Sequence, residues 1–144
     1  MYRTTYSSSL NTSSQRYCQT WDCNTLLFYY ESLRLNVLVS GEYAIWDERN
    51  MNLVVYLYTN AFDPQLPEIN FLMKSGIGSA SNSFRLSVNM STLQNYTLVV
   101  TTRYVNDMGY FNIFIQGPAF IELNRFETPG RISDALLLRQ IEIE

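Results

Sequence analysis

The carboxylates, hydroxyls and thiols of this chain are the groups that could do chemistry, and their spacing gives no complete reaction centre. Asp47 and Glu48 are adjacent acids, and glycoside hydrolysis uses a carboxylate pair. They stand in a polar connection, where neighbouring acids are usually just solvated. Lys74 and Ser75 are adjacent, but a nucleophile needs a base placed by the fold rather than by sequence neighbourhood. The chain has no histidine, which excludes a Ser-His-Asp or Cys-His site within it, so we predict a non-catalytic protein.

The thiols are limited to Cys18 and Cys23, which are separated by four residues. This spacing differs from the C-x2-C pattern of zinc sites and from the redox C-x-x-C pattern. Two thiols without histidine do not complete a structural zinc site, so we predict no metal ion and no cofactor. The favoured interpretation is a local disulfide between Cys18 and Cys23, and two buried reduced thiols are the alternative. A disulfide that closes so short a loop stabilises a fold only modestly.

Three N-x-S/T sequons begin at Asn11, Asn89 and Asn95. In a secreted protein, such sequons mark exposed positions that accept glycans. All three fall at predicted termini or turns. The sequence therefore predicts glycosylation sites at these asparagines if the protein passes through a secretory pathway.

Aromatic residues make up 15% of the chain and could contact a ligand. We predict Trp21, Trp46 and Tyr58 as candidate ligand-contacting aromatics, with core packing as the alternative, since most aromatic residues in strands serve that purpose. Trp46 is the strongest candidate for exposure, because its neighbours Tyr43 and Ile45 fit the inward face of a strand.

Length and charge exclude several classes of protein. A chain of 144 residues has the size of one domain with a real core. The formal net charge is -3, and Lys and Arg form no cluster, so we predict no nucleic-acid partner. No apolar run is long enough to span a bilayer, so we predict no membrane insertion by this segment. Residues 1–14 are polar and unlike a signal peptide, so we interpret the chain as a fragment of a longer protein.

Alternation of apolar and polar side chains predicts the elements that position these groups. Leu33, Leu35 and Val37 alternate with more polar neighbours, and after a turn at 40–41 a second alternating run predicts a β-hairpin. Residues 53–58 are apolar throughout, which favours a central strand. Similar short runs follow as far as residue 126, without a convincing helix among them. The sequence therefore predicts an all-β fold, an antiparallel β-sandwich or jelly roll.

The predicted boundaries divide the chain into three segments. Residues 1–24 form a polar, Ser/Thr-rich lead-in with the local disulfide, and residues 25–126 form the β-sandwich domain. Residues 127–144 form an uncertain tail. Ser133 and Asp134 could cap a helix there, while residues 138–143 partly alternate as a strand would. A helix or a disordered tail is the favoured interpretation.

Several short phrases, taken in order, carry a resemblance to a known kind of module. They are Tyr29-Tyr30-Glu31, Gly41-x-Tyr43, Leu57-Tyr58, Phe62-Asp63-Pro64, Asn70, Phe84, Tyr96-x-Leu98-Val99-Val100-Thr101-Thr102, Gly109-x-Phe111-x-Ile113 and Gly117-Pro118. The set resembles a β-sandwich module that recurs in large extracellular proteins of invertebrates, notably rotifers. That module is distantly similar to the bacterial pre-peptidase C-terminal and collagen-binding jelly rolls. The resemblance implies an extracellular or cell-surface location.

The resemblance also implies a function. Members of this module often carry an acidic run suited to calcium, but the matching stretch at residues 74–78 has no acid, so the resemblance does not extend to calcium binding. We expect a structural or adhesion module of a larger secreted or surface protein, with neighbouring domains of the same chain as its partners and a glycan or matrix protein as a further partner. A carbohydrate- or peptide-binding module appended to an enzyme is the alternative.

Overall fold

Short alternating segments form the strands of the protein, and a computed structural model describes them over residues 1–19, 27–47, 52–74, 85–128, 131–132 and 140–143. The strands are β1 (Tyr2–Leu10), β2 (Gln15–Tyr17), β3 (Phe28–Val37), β4 (Gly41–Asp47), β5 (Leu53–Thr59), β6 (Phe71–Lys74), β7 (Arg85–Met90), β8 (Tyr96–Thr102), β9 (Gly109–Gly117), β10 (Ile121–Thr128), β11 (Arg131–Ile132) and β12 (Gln140–Ile143). The part of the chain that is described contains no helix.

The strands assemble into two antiparallel sheets that pack together. A five-stranded sheet has the order β12-β1-β9-β4-β7, and a seven-stranded sheet has the order β11-β10-β3-β8-β5-β6, with β2 also paired to β3. Strands β3, β4 and β5 alternate between the two sheets, as do β7, β8, β9 and β10. The predicted antiparallel β-sandwich is therefore confirmed.

The interior is built from the inward half of each alternating strand. In β3, for example, Leu33 and Leu35 are buried, whereas Asn36 between Leu35 and Val37 is exposed. One continuous cluster joins the inner faces of both sheets, because each strand presents every second side chain to the same side. Its members include Tyr6, Leu10, Leu33, Leu35, Tyr43, Ile45, Leu53, Val55, Leu57, Leu98, Val100, Phe111, Ile113, Ile115, Ile121 and Leu123.

A second apolar cluster covers the outer side of the seven-stranded sheet. Every residue from Leu53 to Tyr58 is buried because β5 has the core on one side and this cluster on the other. The loop 60–70 supplies Phe62 to the cluster, and its two ends are asparagines with positive φ, Asn60 at 61° and Asn70 at 67°. Asparagine tolerates that left-handed conformation better than most residues. The cluster consists of Tyr17, Tyr30, Val54, Tyr56, Tyr58, Phe62 and Val99.

The predicted hairpin between β3 and β4 is wrong. β3 lies in the seven-stranded sheet and pairs with β8 and β10, whereas β4 lies in the five-stranded sheet and pairs with β7 and β9. The turn at residues 38–40 carries the chain across the interior instead of folding it back alongside itself. Both strands have a buried apolar face, and facing sheets satisfy both faces as well as a hairpin would.

Two segments assigned outside the sandwich contribute strands to it. β1 lies within residues 1–24, and it pairs with β9 along its whole length, from Tyr2 opposite Gly117 to Leu10 opposite Gly109. Its inward residues Thr4 and Tyr6 are buried. In the tail, Gln140–Ile143 forms strand β12 beside β1, so a helix that runs to the end of the chain is wrong there. The proposed helix start at Ser133 lies outside the described residues.

We predict that Gly117→Ala destabilises the fold. A methyl group at Gly117 would overlap the ring of Tyr43, which is fully buried and whose hydroxyl donates to the carbonyl of Val39 at 2.6 Å. Overpacking of this kind typically costs about 1–3 kcal/mol. Urea unfolding should show a lower midpoint for Gly117→Ala. Gln116→Ala is the control, because that side chain points outward from the same strand; equal midpoints for both variants would contradict the predicted overlap.

Candidate functional site

The outward face of the five-stranded sheet carries a row of aromatic and cationic side chains. Arg85 on β7 is the cross-strand partner of Trp46 on β4, and Trp46 is the partner of Phe114 on β9. The rings of Trp46 and Phe114 stack with centroids 5.5 Å apart and an interplanar angle of 25°. Arg3 on β1 adds a second guanidinium. We call these four residues the Trp46 row.

Both arginines of the Trp46 row lie over its rings. The guanidinium carbon of Arg85 is 5.1 Å from the Trp46 ring centroid, and that of Arg3 is 5.4 Å from Trp46 and 5.7 Å from Phe114. These distances fall within the range of cation–π attraction, worth about 0.5–1 kcal/mol at exposed sites. The row is therefore an ordered patch of two positive charges held by two stacked rings.

The Trp46 row lies on a polar, partly exposed surface. Ser87 and Gln116 flank Ala44 one step along β4, and Glu42 and Asn89 follow one step beyond them. Among these outward residues Glu42 is an exposed acid, separated from Trp46 by four positions along the strand. Two guanidinium groups therefore lie beside the Trp46 ring, although the formal net charge of the chain is -3 and Arg3 has Glu142 as its cross-strand partner on β12.

A second candidate site lies where the two sheets meet at β1. Strand β1 packs beside the start of β10: the rings of Tyr2 and Phe120 meet edge to face at 4.7 Å, and the amide of Ile121 donates to the hydroxyl of Thr4 at 3.0 Å. Farther along this seam, a cleft of about 380 Å³ opens between β1, the turn at residues 11–14, β3 and β10. Its walls include Ser8, Ser13, Ser14, Gln15, Glu31 and Arg125. We call it the seam cleft.

Glu31 is the buried carboxylate of the seam cleft, with 9% of its surface exposed. It occupies an inward position of β3, between the residues that pair with β2 and those that pair with β10. The hydroxyl of Tyr6 donates to its Oε2, and the hydroxyl of Ser8 donates to its Oε1 at 2.7 Å. The Nη1 of Arg125 lies 3.8 Å from Oε1, close enough for charge attraction but beyond hydrogen-bond length.

Burial dominates the electrostatics of this carboxylate. Burial raises the pKa of Glu31 above its usual value, while the hydrogen bonds from Tyr6 and Ser8 and the charge of Arg125 act in the opposite direction. The pKa of Tyr6 is also raised, by its own burial and then by the negative charge of Glu31. The carboxylate therefore stays in place because its partners offset part of the cost of removing it from water.

The predicted ligand-contacting aromatics have three different outcomes. Trp46 is only half-buried and forms the centre of the Trp46 row. Tyr58 is wrong as a surface contact, because its side chain is fully buried, packs on Phe62 and donates to the carbonyl of Pro67 at 2.6 Å. Tyr58 belongs to the second apolar cluster, which agrees with the alternative interpretation that these aromatic residues pack in the core. Trp21 lies outside the described residues.

The predicted disulfide and carboxylate pair fall partly outside the described residues. Cys18 is half-buried just after β2, and its predicted partner Cys23 is among the residues that are not described, so the disulfide stays a prediction. Asp47 is buried at the end of β4, with 3% of its surface exposed, rather than solvated, and Glu48 is not described. Over the described ranges, no group of three or more His, Cys, Asp or Glu residues is arranged to hold a metal ion.

The three sequon asparagines are all exposed. Asn11 begins the turn beside the seam cleft, where its side chain accepts from the amide of Ser13 at 2.8 Å. Asn89 points outward from β7, and Asn95 precedes β8. Exposure fits the predicted glycan acceptors, and glycosylation itself stays a prediction.

The seam cleft was not predictable from local sequence patterns, because its residues come from distant parts of the chain. One signal in the sequence did point to the buried acid. The alternation of β3, extended back from Leu33 by two positions, places Glu31 on the inward face. An acid at an apolar position of a strand needs partners. Tyr6 and Arg125, which lie near opposite ends of the chain, could not be identified without the pairing of β1 and β10 across the seam.

Comparison with known protein families, with curated proteins and with solved structures gave no match. The resemblance to the rotifer-type module therefore stays a hypothesis that rests on the phrases quoted above. Within the described part of the chain, no helix is long and apolar enough to cross a membrane.

We predict that Glu31 makes stability depend on pH in a direction opposite to that of most carboxylates. Because burial raises its pKa, the native state holds this proton at pH values where the unfolded chain has lost it. Its contribution to the free energy of unfolding is therefore greatest at low pH and declines as the pH rises from the ordinary value of 4.5 through the raised pKa.

Glu31→Gln removes this titration. In urea unfolding at a series of pH values, the free energy of unfolding of the variant should gain on that of the wild type as the pH rises above about 4.5, and then the difference should level off. Glu42→Gln, which removes an exposed acid from β4, should not reproduce the trend. A difference that stays constant with pH would show that the carboxylate titrates alike in the folded and unfolded states.

Proposed function

We propose that this chain is a non-catalytic adhesion module of an extracellular or cell-surface protein, and that the Trp46 row binds an acidic glycan. The observation that carries the proposal is the pair of stacked rings, Trp46 and Phe114, flanked by Arg85 and Arg3 on the outward face of a sheet. Arginine and tryptophan are the side chains most enriched where binding energy concentrates.

The geometry of the row favours an anionic ligand over a neutral one. The rings of Trp46 and Phe114 cover each other, and guanidinium groups lie over Trp46, so the ring faces are occupied within the row. Flat stacking of a neutral sugar on Trp46 is therefore not the favoured mode. A guanidinium that lies over a ring can still direct its N–H edge outward, and that edge matches a carboxylate or a sulfate group.

Several features of the chain support an extracellular, non-catalytic role. Asn11, Asn89 and Asn95 are exposed, as glycan acceptors must be. The absence of histidine from the sequence removes the commonest general base at neutral pH. The competing role is a passive spacer between domains of a longer protein, which would need the sandwich but not the Trp46 row.

A glycan array that contains neutral, sialylated, uronic-acid and sulfated glycans tests the proposal. We expect the wild-type protein to bind acidic glycans, with binding that weakens as salt is added, because exposed charges are screened. Trp46→Ala and Arg85→Gln should each weaken this binding at least about tenfold, which corresponds to about 1.4 kcal/mol.

Arg103→Gln is the matched control for this experiment. Arg103 is also an exposed arginine over an aromatic ring, 5.2 Å from the centroid of Tyr104, but it belongs to the turn after β8 and not to the Trp46 row. The variant should bind as the wild type does. Absence of binding to any glycan, or equal loss in Arg103→Gln and Arg85→Gln, would favour the passive spacer.

Expression with a secretory signal tests the extracellular assignment separately. Peptide mass mapping should find Cys18 linked to Cys23 and glycans on the exposed sequons, of which Asn89 and Asn95 lie away from the seam cleft. Unmodified asparagines at both positions, together with thiols at Cys18 and Cys23 that react with an alkylating agent, would argue for an intracellular protein.

A further inference from the structure

We propose that the seam cleft is a binding site for a neutral sugar ring. This goes beyond the proposed role of the Trp46 row, because it uses none of the same residues. The Trp46 row lies on the outward face of the five-stranded sheet, whereas the seam cleft opens between the two sheets at β1. Its volume of about 380 Å³ lies in the range of pockets that hold small molecules, roughly 300–1,000 Å³.

The charges in the seam cleft select a ligand without net charge. Glu31 would repel an anion, and Arg125 would repel a cation. Their closest atoms are 3.8 Å apart, which leaves the pair attracted but not joined by a hydrogen bond. Adjacent hydroxyl groups of a sugar suit this arrangement, because one hydroxyl can donate to the carboxylate while the next accepts from the guanidinium. Such hydrogen bonds to charged groups contribute about 1.5–3 kcal/mol each.

The other residues that line the cleft are also polar and suit the hydroxyl groups of a sugar. Ser8, Ser13 and Gln15 line the same space. The Ser13 hydroxyl and the Gln15 amide can both donate and accept, as sugar hydroxyls can, whereas the Ser8 hydroxyl donates to Glu31 and can accept from a ligand. A divalent cation does not fit this wall, since Arg125 would oppose it, and an apolar ligand would leave the polar groups without partners.

Hydrogen bonds within the protein fix the walls of the cleft. The hydrogen bonds from Tyr6 and Ser8 fix the carboxylate of Glu31. The turn at one wall is closed on itself: the amide of Ser14 donates to the carbonyl of Asn11, and the amide of Asn11 donates to the hydroxyl of Ser14, both at 2.9 Å. A preformed pocket loses less entropy on binding, so weak contacts with a single sugar ring suffice.

Two-dimensional NMR of the isotope-labelled protein tests this proposal. The probes are glucose, galactose, mannose, fucose, N-acetylglucosamine and N-acetylgalactosamine, with glycine and sodium sulfate as charged comparisons. The protein is produced without N-glycosylation, because Asn11 lies beside the cleft and a glycan attached there would fill it. At least one sugar, at millimolar concentration, should shift the amide signals of Ser8, Ser13 and Gln15 in a saturable way.

Arg125→Met keeps the aliphatic part of the side chain and removes the guanidinium. We expect it to weaken sugar binding about tenfold or more. Gln15→Ala, a half-buried residue on β2, provides a second variant if Arg125→Met fails to fold, and it should also weaken binding. Ser87→Ala, on the outward face beside the Trp46 row, is the control and should leave the titration unchanged.

The outcomes separate this proposal from that for the Trp46 row. Sugar binding that is lost in Arg125→Met but kept in Arg85→Gln supports the seam cleft alone, whatever the result of the glycan array. Shifts at the cleft caused by glycine or sulfate more strongly than by any sugar would overturn the neutral-sugar assignment. The absence of saturable shifts with all six sugars, or equal binding by wild type and both cleft variants, would overturn the site itself.

Discussion

The packing of two apolar sheet faces against each other is the constraint on which the rest of this structure depends. Each strand presents every second side chain to the interior, so the register that buries Ile45 and Ile115 also turns Trp46 and Phe114 outward. A slip of one residue would exchange the core with the surface and separate Trp46 from Arg85. The burial of the core therefore holds the Trp46 row together, although none of the four side chains belongs to the inner cluster.

At the seam beside β1, the same packing of the two sheets buries a charged residue, Glu31. Burial of an isolated carboxylate is unfavourable, and Glu31 is tolerated because a tyrosine, a serine and an arginine surround it. Two of these partners belong to β1, so the strand that closes the sandwich at this edge also supplies the groups that hold the acid. Removing Tyr6 or Ser8 alone would leave a buried charge with fewer donors, a change that commonly costs more than the hydrogen bond itself contributes. The polarity of the seam cleft follows from this need for partners.

Local patterns in the sequence predicted strands within residues 33–126, but not β1, β2 or β12, and not which distant strands pair. The alternation of Leu33, Leu35 and Val37 gave the inward face of β3, and the apolar run at residues 53–58 gave a strand buried on both sides. The pairing of β1 with β9 joins residues 99 to 115 positions apart, and no local pattern encodes it. The polar, Ser-rich composition of β1 concealed its role, because Thr4, Tyr6 and Ser8 on its inward face are polar or amphipathic and only Leu10 beside them is aliphatic. Tyr58 was misassigned for a related reason: its cover comes from a loop, and alternation predicts faces of strands but not the loops that cover them.

The two sheets differ in a way that favours one outer face for binding. On the seven-stranded sheet, the loop 60–70 and the segment around β2 cover the outer side, so that Tyr56 and Tyr58 are buried there and the aromatic residues stabilise the fold. On the five-stranded sheet, the described outward residues have no such cover, and Trp46, Phe114 and Arg85 keep contact with solvent. The Trp46 row lies outside the apolar core, and small polar residues would also suit an exposed sheet face. The same reasoning applies to Glu31, because an apolar residue at that position would pack against Tyr6 without the cost of burying a charge. Both features thus lie where stability alone would favour other side chains, and such departures from the simplest stable sequence are where function is expected.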